Sequence, residues 1–401
     1  MGDNSLIEWT DATWNPVTGC TVVSPGCTNC YAMRLAGTRL KNHPTRVGLT
    51  KPSKAGPVWT GEVRMNEKAL LEPLKWKRPR MIFVCAHGDL FHESVPDAWI
   101  DKVFAVMALC PQHTFQVLTK RSARMLEFFT GHRRAPPDYE KRVPGHTPVM
   151  RLQGFIADFV RLGRFQPNGF GPVYAEDKAK ARDRMRSYPL PNVWLGVSAE
   201  RQQEAEARIP DLLATPAAVR FVSLEPLLGP IDLDAVKFTA APGFFGSALR
   251  WHHRGKCHLD DGISYPILDW VIVGGESQQG SRPMHPDWAR SLRDRCAAAG
   301  VPFFFKQWGD WAPRADGIHH GLTAMQGSLN QQTITASTDR SRVGMTVYHA
   351  GRGHDRSIEI LERVSKKRAG RLLDGVEHNG MPAVDSRAEA TTQRAPEPAE
   401  A

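Results

Sequence analysis

Cys20, Cys27 and Cys30 are the residues of this sequence whose type and spacing point most directly to chemistry. They share one short run, Trp14-Asn15-Pro16-Val17-Thr18-Gly19-Cys20-Thr21-Val22-Val23-Ser24-Pro25-Gly26-Cys27-Thr28-Asn29-Cys30-Tyr31. Three thiolates from one Gly/Pro-rich loop can hold a soft metal centre. Gly19, Pro25 and Gly26 let the backbone turn tightly enough to aim the sulfurs inward. Three protein ligands are an incomplete set. On a four-iron cluster they leave one iron open to a ligand that is not protein. On zinc, a structural site calls for a fourth protein ligand and a catalytic site for water. Three unrelated core cysteines are the plain alternative, and the tight spacing argues against it.

The whole chain frames what such a loop can serve. Its 401 residues suit one large barrel with insertions, or two domains. A hydrophobic fraction of 41% suffices for a sizeable core, and 34 glycines and 30 prolines predict many turns. No stretch approaches the roughly 20 apolar residues of a membrane span. Met1 to Glu8 has neither the basic nor the apolar run of a secretory signal, so a cytoplasmic protein with no membrane attachment is expected. Seven cysteines, an odd number, favour reduced thiols or metal ligands over a disulfide framework. The formal net charge of +10 favours an anionic partner such as nucleic acid. The basic residues are scattered, and a generally basic soluble surface accounts for the charge as well.

A cluster loop needs a scaffold, and the hydrophobic pattern supplies one. Met81 to Cys85 is a continuous apolar run stopped by His87-Gly88-Asp89, as for a strand covered on both faces. A helix follows from Pro96, with Ile100, Val103, Phe104 and Met107 at helical spacing and Asp97 in its first turn. The alternation then repeats. Further strands are predicted over 115–118, 192–197, 219–224, 270–273 and 301–305, and helices over 122–129, 200–207 and 286–299, the last stopped by Gly300. Residues 31–40 open a short helix. With a short strand before Cys20, seven strands alternate with helices. This predicts an α/β fold, a partial or nearly closed parallel (β/α) barrel with right-handed crossovers. A doubly wound sheet is disfavoured because no Gly-x-Gly-x-x-Gly follows an early strand.

Insertions interrupt the barrel. Residues 1–130 carry the cysteine loop and the first βα units, 191–236 continue the barrel, and 267–312 complete it. Residues 131–190 form a basic insertion with twelve Lys and Arg against six Asp and Glu, suited to phosphates or simply to solvent. A second insertion, 237–266, holds His252, His253, Cys257 and His258 in a spacing that matches no familiar zinc finger. Residues 313–381 form a C-terminal extension, polar and with little periodicity up to 345. The Ala, Glu, Pro, Arg and Thr of residues 382–401 predict a disordered tail.

In a parallel barrel, functional groups project from the C-terminal ends of the strands. Those ends read His87-Gly88-Asp89, Thr119-Lys120-Arg121, Ser198-Ala199-Glu200, Glu225-Pro226, Gly274-Gly275-Glu276-Ser277 and Lys306-Gln307-Trp308. Strands must end in something polar, but so consistent a series predicts the rim of a site, with about half its charges in rim salt bridges.

At this point a resemblance can be named. A three-cysteine loop after the first strand of a partial barrel resembles the radical S-adenosylmethionine superfamily. More closely, the chain resembles the phage- and prophage-associated three-Cys-motif family of unknown function. The shared runs are Trp14-Asn15-Pro16 through Cys30-Tyr31-Ala32, Asp89-Leu90-Phe91-His92-Glu93, Leu118-Thr119-Lys120-Arg121, Trp194-Leu195-Gly196-Val197-Ser198, Ser223-Leu224-Glu225-Pro226-Leu227, Gly274-Gly275-Glu276-Ser277, Phe305-Lys306-Gln307-Trp308-Gly309 and Lys366 to Gly375. They cover about residues 5 to 375 apart from the insertions. The resemblance implies a [4Fe-4S] cluster on Cys20, Cys27 and Cys30, with S-adenosylmethionine on the open iron and a 5'-deoxyadenosyl radical as the reactive species. Asp89 stands where the superfamily places the carboxylate that binds the methionine amino group. Lys120, Ser198, Glu200 and Gln307 are the further cofactor-binding candidates, and Glu225, Glu276 and Lys306 the catalytic ones. The loop departs from the superfamily's usual form: six residues, not three, separate Cys20 from Cys27, and Asn29 precedes the third cysteine where an aromatic is usual.

The expected function is therefore a radical S-adenosylmethionine enzyme acting on a nucleic acid, nucleotide or other anionic substrate, served by an electron donor and in contact with a partner protein. Two alternatives stand beside it. One is a zinc-stabilised nucleic-acid-binding protein that recruits His87 or His92 as fourth ligand. The other is a phage interaction protein on a degenerate barrel. Cys85, Cys110 and Cys296 are expected in the core, and Ser198 and Ser277 lack any nucleophile-elbow pattern.

Overall fold

The computed structural model describes residues 2–3, 5, 7–130, 189–237, 245–250, 267–278, 280–313, 333–336, 342–348 and 356–383. His252, His253, Cys257, His258, nearly all of the basic insertion 131–190 and residues 384–401 lie outside them.

Seven parallel strands, paired in chain order, make the main sheet: β1 (Ala12–Trp14), β2 (Met81–Val84), β3 (Thr114–Thr119), β4 (Val193–Ser198), β5 (Val219–Leu224), β6 (Trp270–Gly274) and β7 (Phe303–Gln307). The predicted alternation is what the chain adopts. Helices α1 (Tyr31–Gly37), α2 (Asp97–Leu109), α3 (Ser122–Thr130), α4 (Gln202–Ala214) and α5 (Pro286–Ala299) follow β1, β2, β3, β4 and β6. Local chemistry sets the ends of α5: the His285 side chain accepts from the Asp287 amide, Pro286 supplies the first turn, and Gly300 closes the helix.

The strands are apolar on both faces because both faces are covered. Ile82, Val84, Phe115, Val117, Val222, Val271 and Phe305 face outward into the layer formed with the helices. Phe83, Trp194, Phe221, Trp270, Ile272 and Phe304 face inward and close around Trp9. The Trp9 ring lies 4.9 Å from Phe83 on β2, 6.4 Å from Phe221 on β5 and 6.2 Å from Trp270 on β6. One side chain that touches the second, fifth and sixth strands requires a curled sheet. The fold is a half-barrel plugged at its N-terminal end by aromatic rings.

An open sheet has two edges, and both are capped. Gly2–Asp3 pairs antiparallel with β1. Against β7, the Gly380 amide donates to Phe303 O at 3.0 Å and the Phe305 amide to His378 O at 2.9 Å.

Two sets of strands lie outside the predicted barrel. Between β5 and β6 the described residues show no helix but a short antiparallel pairing of Val236–Lys237 with Phe245–Gly246. In the C-terminal extension, Trp311–Pro313, Thr333–Ala336, Arg342–Tyr348 and Arg356–Arg363 form a four-stranded antiparallel sheet. Backbone pairing holds this sheet, and the side-chain periodicity of 313–345 does not announce it. Among the described residues no helix is long and apolar enough to cross a membrane.

Candidate functional site

Alternation along the strands decides which side chains share the lumen. Stepping by two from the inward aromatics leads to Cys85 beyond Phe83, Ser198 beyond Trp194, Glu225 beyond Phe221, Glu276 beyond Trp270, and Lys306 beyond Phe304. At the C-terminal ends these residues surround a cavity of about 460 Å³. Ile7, Trp9, Phe83 and Leu118 give it an apolar base. Cys20, Cys27 and Cys30 line it, and so do Asp89, Lys120, Ser198, Glu225, Glu276, Lys306 and Gln307. Of the predicted site residues only Glu200 does not.

The cysteine run crosses this mouth and is tied to three strand ends. At β3, Arg121 donates to Thr21 O at 3.1 Å, to Thr21 Oγ1 at 2.6 Å and to Cys20 Sγ at 3.3 Å. At β4, Glu200 accepts from the Gly26 amide at 2.9 Å. Beyond β6, Arg282 donates to Pro25 O at 2.9 Å, and Asn29 Nδ2 to Gly280 O at 3.0 Å. Two glycines make the path possible. Gly19 has φ +97°, and a Cβ there would stand 2.1 Å from Glu62 O. A Cβ on Gly26 would stand 3.0 Å from the Glu200 carboxyl carbon and 3.2 Å from Lys120 Nζ.

The charges that hold the loop are themselves held. Asp89 is buried and accepts from Thr119 Oγ1 at 2.7 Å, from the amides of Phe91 at 3.0 Å and Lys120 at 3.2 Å, and from Arg121 at 3.1 Å. Four donors fill the roughly four lone-pair positions of a carboxylate. Glu200 has no exposed side-chain surface and binds Lys120 at 3.2 Å and Arg208 at 3.1 Å. Burial pushes its pKa up, but Lys120, Ser24, the Gly26 amide and Arg208 outweigh that and bring it down to about 2. Glu276 is forked by Arg282, at 2.8 Å and 2.6 Å. Glu225 is different. Lys306 at 3.1 Å and Ser223 Oγ at 3.4 Å are its side-chain partners, and both members of the ion pair remain partly open to the cavity.

Burial, with Asp89 close by, pushes the Cys20 thiol up to about 12 against the pull of Arg121, and burial raises Cys30. Cys30 and Cys27 also raise Cys20, and Cys27 raises Cys30, an arrangement that suits thiolates only around a cation. Among the described residues no three His, Cys, Asp or Glu side chains are set to hold a single metal ion. Neither proposed histidine lines the cavity. His92 is bonded on both nitrogens, Nδ1 to the Ser94 amide and Nε2 to Thr21 Oγ1, and His87 Nδ1 accepts from Arg46 at 2.8 Å.

Sequence reasoning passed over three lining or bracing groups. Cys85, assigned to the core, is buried and also lines the cavity, with φ +57°. Lys366 reaches the cavity from the C-terminal extension. Arg282 carries no motif, and its place six residues after Glu276 was the available signal.

A parallel half-barrel with a cysteine-lined cavity at its C-terminal mouth places the chain among the α/β proteins that carry their sites on strand ends. The chain belongs to the family described as Protein of unknown function (DUF5131), whose model matches residues 4–382. No curated protein and no solved structure matches it.

Proposed function

We propose that this chain is an iron–sulfur enzyme of the radical S-adenosylmethionine type acting on an anionic substrate, a nucleic acid or nucleotide. The observation that carries the reading is the meeting of three cysteines with the polar ends of β2 to β7 around one cavity. The resemblance to the phage-associated three-Cys-motif family supports it. Cys20, Cys27 and Cys30 would hold a [4Fe-4S] cluster. With S-adenosylmethionine and an electron donor, such a cluster supplies one-electron cleavage of a sulfonium and, from it, hydrogen abstraction.

The chain's own residues supply position and dryness. Arg121, Glu200 and Arg282 brace the cysteine loop, and Asp89 serves by fixing Arg121. Trp9, Phe83 and Leu118 keep water from the base of the cavity. Lys120 presents an ammonium bonded to Ser198 at 2.9 Å. Glu225 and Lys306 keep free lone pairs and protons for a substrate's polar groups.

The test is metal and sulfide analysis of protein purified without oxygen. About four irons per chain, a broad visible absorption, and cleavage of S-adenosylmethionine on reduction are expected. Replacing Cys20, Cys27 and Cys30 with Ala should abolish all three. One tightly held zinc in colourless protein would end the proposal.

A further inference from the structure

Each charged side chain that lines the cavity has an oppositely charged partner, and two cations that follow the last of these in the chain have none among the described residues. Asp89 pairs with Arg121, Lys120 with Glu200, Glu225 with Lys306, and Glu276 with Arg282. Lys366, at the lip, pairs with Glu8 at 3.1 Å. The next two residues, Lys367 and Arg368, are exposed and have no acidic partner among the described residues. They stand on the single helical turn Lys366–Ala369, beside the lining residue Lys366. That turn is fixed to the end of β7: the Trp308 amide donates to Gly370 O at 3.3 Å and Trp308 Nε1 to Leu372 O at 2.8 Å. Ser365, just before it, is held at φ +86°.

A free nucleotide would bring its phosphates into a cavity whose cations are already neutralised. A nucleotide within a strand can place an uncharged base or sugar inside while its backbone phosphates stay outside, where unpaired cations wait. We infer that the substrate is a polynucleotide, DNA or RNA, whose backbone runs along the Lys366–Arg368 lip while one nucleotide enters the half-barrel. The inference rests on the enzyme reading for what happens in the cavity, but strand binding itself requires no cluster.

The experiment is fluorescence anisotropy of a labelled single-stranded DNA oligonucleotide with the full chain, over a range of salt, with iron measured on the same preparations. The oligonucleotide should bind, and a mononucleotide at equal phosphate concentration should not displace it. Lys367→Gln with Arg368→Gln should weaken binding and reduce the salt slope by about 1.4, for two lost contacts on a single strand. Both side chains are exposed, so the variant should keep the thermal midpoint of the parent. An unchanged slope, no binding at low salt, or equal displacement by the mononucleotide overturns the inference. Protein that binds the strand but no iron would sustain it while ending the cluster proposal.

Discussion

Two lysine–glutamate pairs stand at the mouth of the half-barrel, and their surroundings give them opposite tasks. Glu200 is sealed beneath the cysteine loop, where Lys120, Arg208 and the Gly26 amide use its oxygens. Glu225 meets Lys306 at a similar distance, but both side chains stay partly open to the cavity. A sealed carboxylate fastens a loop, and an open one can meet a substrate. The same contrast separates Asp89 and Glu276, each bound by an arginine that grips the loop, from Lys306.

The contrast breaks most readily at its most buried pair. Asp89→Ala leaves the buried Arg121 with only the exposed Glu93, 3.4 Å away, and should cost about 3–5 kcal/mol in urea denaturation, with loss of iron uptake because Arg121 no longer holds Thr21 and Cys20. A near-neutral result would remove the distinction between sealed and open charges. Glu200→Gln comes next, at about 1.5–3 kcal/mol. Its carboxyl lies near 2 when folded against an ordinary 4.5. Its contribution is therefore complete above pH 4.5 and lost as the pH falls towards 2. The parent should lose stability across that window, and the variant should show less of that loss. Gly26→Ala forces a Cβ against Glu200 and Lys120 and should cost about 1–3 kcal/mol; thermal melts with iron analysis would show a loosened loop. Lys306→Met should change stability least, by about 1 kcal/mol or less. It should leave iron content and substrate-free cleavage of S-adenosylmethionine intact while weakening the response to substrate. Loss of iron in this variant would place Lys306 with the bracing groups.

Much of this was legible in the residues. Continuous apolar runs such as Met81–Val84 and Trp270–Gly274 announce buried parallel strands, and the polar group after each run marks the rim. Alternation then puts Ser198, Glu225, Glu276 and Lys306 in one lumen without further information. The roles of individual charges were not legible. Glu200 and Glu225 have the same signature, an acid just past an apolar strand. Nothing local distinguishes the one that the loop covers.

The amino-acid sequence by itself determined the strands of the half-barrel, the cysteine loop and the set of residues at the mouth, because periodicity and turn chemistry act over a few residues. Only the tertiary structure decided that Trp9 plugs the half-barrel, that the loop lies over Glu200 and not Glu225, and that Arg282 and the turn at Lys366 reach the site. Those outcomes depend on contacts between residues up to hundreds of positions apart, which short-range patterns do not encode.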